Sequence, residues 1–236
     1  MITSRETLNM AFALRYSRGC SDDDIPEEVK TILTSGEKLA PKHCSTEVIE
    51  ELFIERVKMF EPRFTVDENC APVLRLMAQR IARSDEFTAQ YGLNKGIMLL
   101  GGIGSGKTVL MRGMVDILMV FDIKVHLLPT YVLTENYGRD GVNAFGRINH
   151  ANNDVYPGAG IIVLDDLGAE GIASHYGQPI NVVAEVLLRR YDNHALTFGT
   201  SNLDQKSIRR FYGERVWSRM KEMFNFIELK GEDRRK

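Results

Sequence analysis

Residues Gly96-Ile97-Met98-Leu99-Leu100-Gly101-Gly102-Ile103-Gly104-Ser105-Gly106-Lys107-Thr108-Val109 decide how this chain is read. A short apolar run feeds a glycine-rich turn that closes on a lysine and a threonine. The spacing Gly101-x4-Gly106-Lys107-Thr108 is that of a phosphate-binding loop. Residues 97–100 are expected to form a buried strand, and the glycines let the backbone curl until its N–H groups converge on an anion. Lys107 adds a point charge at the β- and γ-phosphates, and the Thr108 hydroxyl can ligate Mg²⁺. A helix starting near Lys107 would turn the positive end of its dipole to the same anion. Residues Gly101, Gly102, Ile103, Gly104, Ser105, Gly106, Lys107, Thr108 and Val109 are therefore expected to hold a nucleoside triphosphate with Mg²⁺.

Outward from this loop the chain alternates short apolar runs with helical segments. Strands are expected at 97–100, 122–128, 161–164, 195–200 and 224–229, and helices at about 107–120, 130–146, 178–192 and 204–223. That alternation implies an α/β fold: a parallel five-stranded sheet with helices on both faces. Before residue 62 the pattern is helical throughout, with segments expected near 3–19, 26–35 and from Ser45 onward. Pro62 interrupts it, and a further helix over 67–84 carries Val73, Leu76, Met77 and Ile81 on one face. The expected division is thus a small all-helical region over 1–62 and a nucleotide-binding α/β domain over 63–236.

Two more strand ends carry chemistry. Ile161-Ile162-Val163-Leu164 runs into Asp165-Asp166, and in a parallel sheet the carboxyl ends of the strands share one edge, so this pair should lie beside the phosphates. Asp165 is placed to hold Mg²⁺ through water, with Thr108, and Asp166 to orient or deprotonate the attacking water. Leu196-Thr197-Phe198-Gly199-Thr200-Ser201-Asn202 ends in polar groups at the same edge. The amide of Asn202 suits either the γ-phosphate or the cap of a helix from Asp204. Arg215 and Arg219 are four apart and share a helix face.

Composition narrows the class. The chain has 236 residues, an apolar fraction of 44% and a formal net charge of −2, so it can bury a real core and lacks a generally basic surface for nucleic acid. A basic segment with Lys206, Arg209, Arg210, Arg215, Arg219 and Lys221 remains as a local patch for a DNA backbone, and Phe211, Tyr212 and Trp217 beside it are spaced as core residues. No run is long enough to span a membrane, the polar start is unlike a signal peptide, and Cys20, Cys44 and Cys70 are too scattered for a disulfide framework. A cytoplasmic protein is expected. His43 beside Cys44 lacks the Cys-x2-Cys partner of a structural zinc site.

The order of these motifs resembles the AAA+ ATPases. The wording Leu164-Asp165-Asp166-Leu167-Gly168-Ala169-Glu170 and Gly213-Glu214-Arg215-Val216-Trp217-Ser218-Arg219-Met220 is similar to the branch of bacterial replicative-helicase loaders (DnaC/DnaI type) and transposition helper ATPases (IstB type), over residues 64–236. The resemblance implies ATP and Mg²⁺ as cofactors and Asn202 as the residue sensing the γ-phosphate. It implies Arg219 as an arginine finger acting on the neighbouring subunit. Arg235 or Arg234 would contact the chain's own nucleotide, and Phe64 to Asp67 with Asn69 would lie over the adenine. It also implies self-association, a replicative helicase or a transposase as partner, and DNA, single-stranded in the loader case. Asp-Asp stands where many AAA+ proteins have Asp-Glu, so slow, partner-gated hydrolysis is expected. No helical lid domain is expected after the core. A small-molecule kinase is a remote alternative that Asn202 and the Arg219 segment fit poorly.

Overall fold

The structure, a computed structural model, describes residues 1–16, 25–35, 37–141, 143, 160–175, 178–231 and 233–234. Contacts group the chain into two compact units, one of Met1–Gln90 with Asp116–Ile123 and one of Tyr91–Val115 with Lys124–Lys236.

The first unit is helical: α1 (Arg5–Tyr16), α2 (Glu27–Thr34), α3 (Thr46–Phe60), α4 (Cys70–Ala82) and the single turn α5 (Asp85–Thr88). Local chemistry sets its helix starts. Ser4 accepts from the Thr7 amide at 3.1 Å, Ser45 from Val48 at 3.4 Å, and Asp67 from Asn69 and Cys70 at 3.1 and 2.8 Å. Ile49, Leu52 and Phe53 of α3 and Leu74 and Met77 of α4 are buried, and the two helices pack together. Val73 and Ile81 join that face as expected; Leu74 belongs to it as well, and Leu76 is only partly covered. Arg75 spans α3 and α4 to Glu47 and Glu50, each at 3.2 Å. This unit therefore runs past the boundary at 62 drawn from the sequence. His43 accepts from the Ala40 amide and meets Glu37 at 3.0 Å, while burial pushes the Cys44 thiol up to about 12.

The second unit holds β1 (Gly96–Leu100), α6 (Lys107–Val120, whose last turn groups with the first unit), β2 (Val125–Pro129), α7 (Thr130–Asp140), β3 (Ile161–Leu167), α8 (Val182–Asp192), β6 (Thr197–Ser201), α9 (Gln205–Met223) and β7 (Phe224–Glu228). A short antiparallel pair, β4 (Ala173–His175) and β5 (Gln178–Ile180), sits between β3 and α8. Five strands form one parallel sheet in the order β2-β3-β6-β1-β7. All five residues of β1 and of the central strand β6 are buried, and alternate side chains point to opposite faces, so both faces of these strands are covered. On one face Met98, Leu100, Leu128 and Leu164 meet Leu133 of α7, Val183 and Leu187 of α8, and Ile208 and Met220 of α9. Each large side chain buried in this way is worth about 1.5–3 kcal/mol.

The strand positions match expectation to within a few residues; two helices do not. The segment expected as helix from 178 opens as β5, and α8 starts at Val182, capped by the Asn181 side chain on the Ala184 amide at 2.9 Å. Helix α7 ends at Asp140, where Gly141 takes a positive φ, and most of what was expected to follow lies outside the described residues. At the amino end of the sheet, Arg190 of α8 is buried and donates to Thr197 Oγ1 and to the carbonyls of Gly160 and Leu196, tying β3 and β6 to the helix above them. Among the described residues no helix is long and apolar enough to cross a membrane.

Candidate nucleotide site

The carboxyl ends of β1, β3 and β6 bring the expected residues together. The loop after β1 turns through Gly104 (φ 76°) and Gly106 (φ 100°), left-handed conformations that glycine adopts without strain. Lys107 begins α6 and is 5% exposed. Its ammonium donates to the carbonyls of Gly101 and Gly102 at 3.0 and 2.8 Å and to Asn202 Oδ1 at 2.7 Å, with Ser105 Oγ at 3.4 Å. The lysine is thus held with its charge directed into the loop. An open cleft of about 790 Å³ runs from Gly101 and Gly102 past Asn202 to Lys206 and Glu228.

The two carboxylates are set by a bulge. Leu164 pairs with Gly199 and Leu167 with Ser201, so Asp165 and Asp166 together face the single residue Thr200. The Thr200 hydroxyl donates to Asp165 Oδ1 at 2.7 Å and accepts from the Asp166 amide at 2.8 Å. Thr108 donates to both Asp165 oxygens, at 2.9 and 3.2 Å. Asp166 has φ 65°, a position few non-glycine residues hold unless their surroundings fix them. Three contacts do so: its amide on Thr200, its carbonyl accepting from Thr130 Oγ1 at 2.9 Å, and its carboxylate accepting from Asn202 Nδ2 at 2.5 Å.

Asn202 therefore lies within this candidate site, between Lys107 and Asp166. The cap of α9 is Asp204, which accepts from the Ser207 amide at 2.7 Å, so the amide of Asn202 is left to join Lys107 to Asp166. Thr200, assigned no separate role from the sequence, bonds the Asp165 carboxylate and the Asp166 amide; its signal was a hydroxyl two residues before Asn202 in a buried strand. Thr108 and Asp165 present adjacent oxygens of the kind a hard cation takes. Among the described residues no three His, Cys, Asp or Glu side chains cluster as a metal site, so a divalent ion at this pair would draw its remaining oxygens from phosphate and water.

Other expected residues lie elsewhere. Arg219 of α9 stacks over the Tyr191 ring at 5.2 Å and donates to the Arg215 carbonyl at 3.3 Å, without a contact to Lys107, Asp165, Asp166 or Asn202. Arg215 is exposed, and Tyr212 and Trp217 are core residues. Arg234 crosses the loop: its amide donates to the Gly104 carbonyl at 3.1 Å, and its side chain runs beside Gly106. Arg235 lies outside the described residues. Phe64 is buried in the first unit, and Asp67 caps α4 there.

Sheet order, loop and carboxylate bulge define a P-loop NTPase-like α/β fold. The same architecture is found in the crystal structure of the DnaC helicase loader, with a TM-score of 0.52 and 20% identity over 72% of this chain and 94% of that one. The crystal structure of DnaI gives 0.52 and 22% over 74% and 89%. A putative primosome component from Streptococcus pyogenes serotype M3 gives 0.50 and 20% over 72% and 84%. At these identities the likeness is one of fold. The sequence profile of the family described as threonylcarbamoyl adenosine biosynthesis protein TsaE matches residues 73–184, which include the phosphate loop and the aspartate pair. No curated protein sequence matches the chain.

Proposed function

We propose that this protein binds ATP with Mg²⁺ and hydrolyses it slowly, as a switch that loads or remodels a hexameric replicative helicase on single-stranded DNA. The observation that carries the nucleotide part of this reading is the linked set Lys107–Asn202–Asp166 beside Thr108–Asp165, which gathers a cation, a carboxylate and a neutral amide around one loop. In this reading the loop amides and Lys107 bind the β- and γ-phosphates. Thr108, with Asp165 acting through water, would hold Mg²⁺, which would offset the charge of the phosphates. Asn202 gives up Lys107 to the γ-phosphate and keeps Asp166 turned toward the attacking water. Arg235 or Arg234 contacts the chain's own nucleotide, and the backbone of Arg234 already lies against Gly104.

The choice of a loader rests on the resemblance of Gly213 to Met220 and on the loader folds, at low identity. The TsaE profile ends at 184, before Asn202 and Arg219, so it does not reach the residues on which that choice depends. Residues 1–62 are assigned to partner binding and the ATPase to the part of 63–236 that forms the second unit, with self-association through Arg219.

Asp166→Asn tests the chemistry. The variant keeps an oxygen for the Asn202 amide but loses the base, so ATP affinity should be unchanged and turnover should fall on the order of 10²-fold. Phosphate release measured with helicase present checks this, and a wild-type rate would move the base elsewhere. Co-purification of the full chain with a hexameric helicase tests the partner; capture of a transposase instead would assign it to the other arm of the resemblance.

A further inference from the structure

Glu170 is a carboxylate that the proposed chemistry leaves without a task. It is 5% exposed, and its two oxygens are used by different elements: Oε2 accepts from the Gly168 amide at 2.7 Å and Oε1 from the Tyr212 hydroxyl at 2.5 Å. The Thr130 hydroxyl lies beside it as well. Burial pushes the Glu170 carboxyl above the usual carboxylate range, and the bonds from Tyr212 and the backbone work against that push. A carboxylate in such a place is costly unless its oxygens are satisfied.

Two of these partners lead to Asp166, and the third leads to α9. Gly168 is two residues further along the same turn, with φ 89°. Thr130 opens α7 and donates to the Asp166 carbonyl. Tyr212 stands on α9 one residue before Gly213, whose φ 80° and ψ 167° break that helix into two segments. The second segment carries Val216, Trp217 and Met220 into the core, and Arg215 and Arg219.

We propose that Glu170 and Tyr212 are positioning residues that link the conformation of the nucleotide site at Asp166 to the arginine-bearing segment of α9. The proposal rests on the ATP-site reading above. A γ-phosphate competes for Lys107 and Asn202, which are now bonded to each other, and Asn202 is bonded to Asp166. Any resetting of Asp166 passes along its own turn to Gly168, through the Glu170 carboxylate to Tyr212, and across the break at Gly213. A ligand shifts a conformation only by contacts that differ between its states, and this chain of contacts supplies them. If Glu170 merely filled a polar gap in the loop, cutting its bond to Tyr212 would leave the response of α9 to nucleotide intact.

Trp217 is the only tryptophan of the chain and lies beyond the break, its ring 5.2 Å from Phe226. Binding of a non-hydrolysable ATP analogue with Mg²⁺ to the full chain, followed by calorimetry and by Trp217 emission, therefore reads occupancy and coupling separately. In wild type the analogue should bind and change the emission. Tyr212→Phe should bind with unchanged affinity and lose that change. The amide of Glu170→Gln can accept from Gly168 and donate to the phenol oxygen, so this variant should respond like wild type. The double variant Glu170→Gln/Tyr212→Phe cuts the link without leaving a charge buried, and should behave as Tyr212→Phe if the single change lowers the melting temperature. An emission change of equal size in wild type and the Phe variants, or none in wild type at saturation, overturns the coupling alone. No binding heat in any variant overturns the ATP site and the coupling with it.

Discussion

Lys107→Ala is expected to lower affinity for ATP·Mg²⁺ by roughly a hundredfold, the equivalent of about 3 kcal/mol, the upper end for a charge-assisted hydrogen bond. The ammonium is buried and satisfied by the carbonyls of Gly101 and Gly102 and by Asn202. It can exchange these acceptors for phosphate oxygens without moving far, so little reorganisation opposes binding. Alanine removes the charge and leaves two carbonyl oxygens at the loop without their cation, which repel the anion the loop is built to take. The loss should appear in affinity and hardly in folding, because Gly102 is exposed and Gly101 half-exposed, so water can take over both carbonyls. Calorimetric titration alongside thermal melting separates the two, and wild-type affinity in a folded variant would remove the loop from nucleotide binding.

The parts legible in the sequence are those whose chemistry is contiguous. The phosphate loop is one run of residues, and its glycines fall where positive φ is needed, at Gly104 and Gly106. The parallel sheet was legible because β1 and the first four residues of β3 are continuous apolar runs, the pattern of strands covered on both faces. What the sequence withheld depends on pairing between distant strands. Nothing local says that Asp165 and Asp166 share one partner residue, yet the bulge opposite Thr200 turns one carboxylate to Thr108 and the other to Asn202. The β4–β5 pair was missed because three-residue strands carry too little periodicity to register. Pro62 suggested a boundary, but the apolar face of α4 packs with α3, and a helix's periodicity shows that it has a buried face without saying which element covers it. Glu170 was visible only as one letter in a motif; its bond to Tyr212 spans 42 residues.

Arg219→Ala should bind ATP nearly as wild type does and hydrolyse it on the order of 10³-fold more slowly, if its guanidinium stabilises the transferred phosphoryl group of a neighbouring subunit. Within its own chain Arg219 rests on Tyr191 and the Arg215 carbonyl, away from the Lys107 cluster, so a catalytic role in cis would need it to leave both. A role in trans needs the half-exposed side chain to leave the Tyr191 face, a contact worth about 0.5–1 kcal/mol, and the Arg215 carbonyl, but not to reach the cluster of its own chain. Mixing Arg219→Ala with Lys107→Ala distinguishes the two. Each is inactive alone, the first for want of the finger and the second for want of nucleotide. An interface that sets the intact phosphate loop of the first against the intact Arg219 of the second is complete, so activity should return in the mixture and depend on the ratio of the two. If sedimentation shows that they co-assemble and no activity returns at any ratio, Arg219 does not serve a neighbour's site, and its contact with Tyr191 is its function.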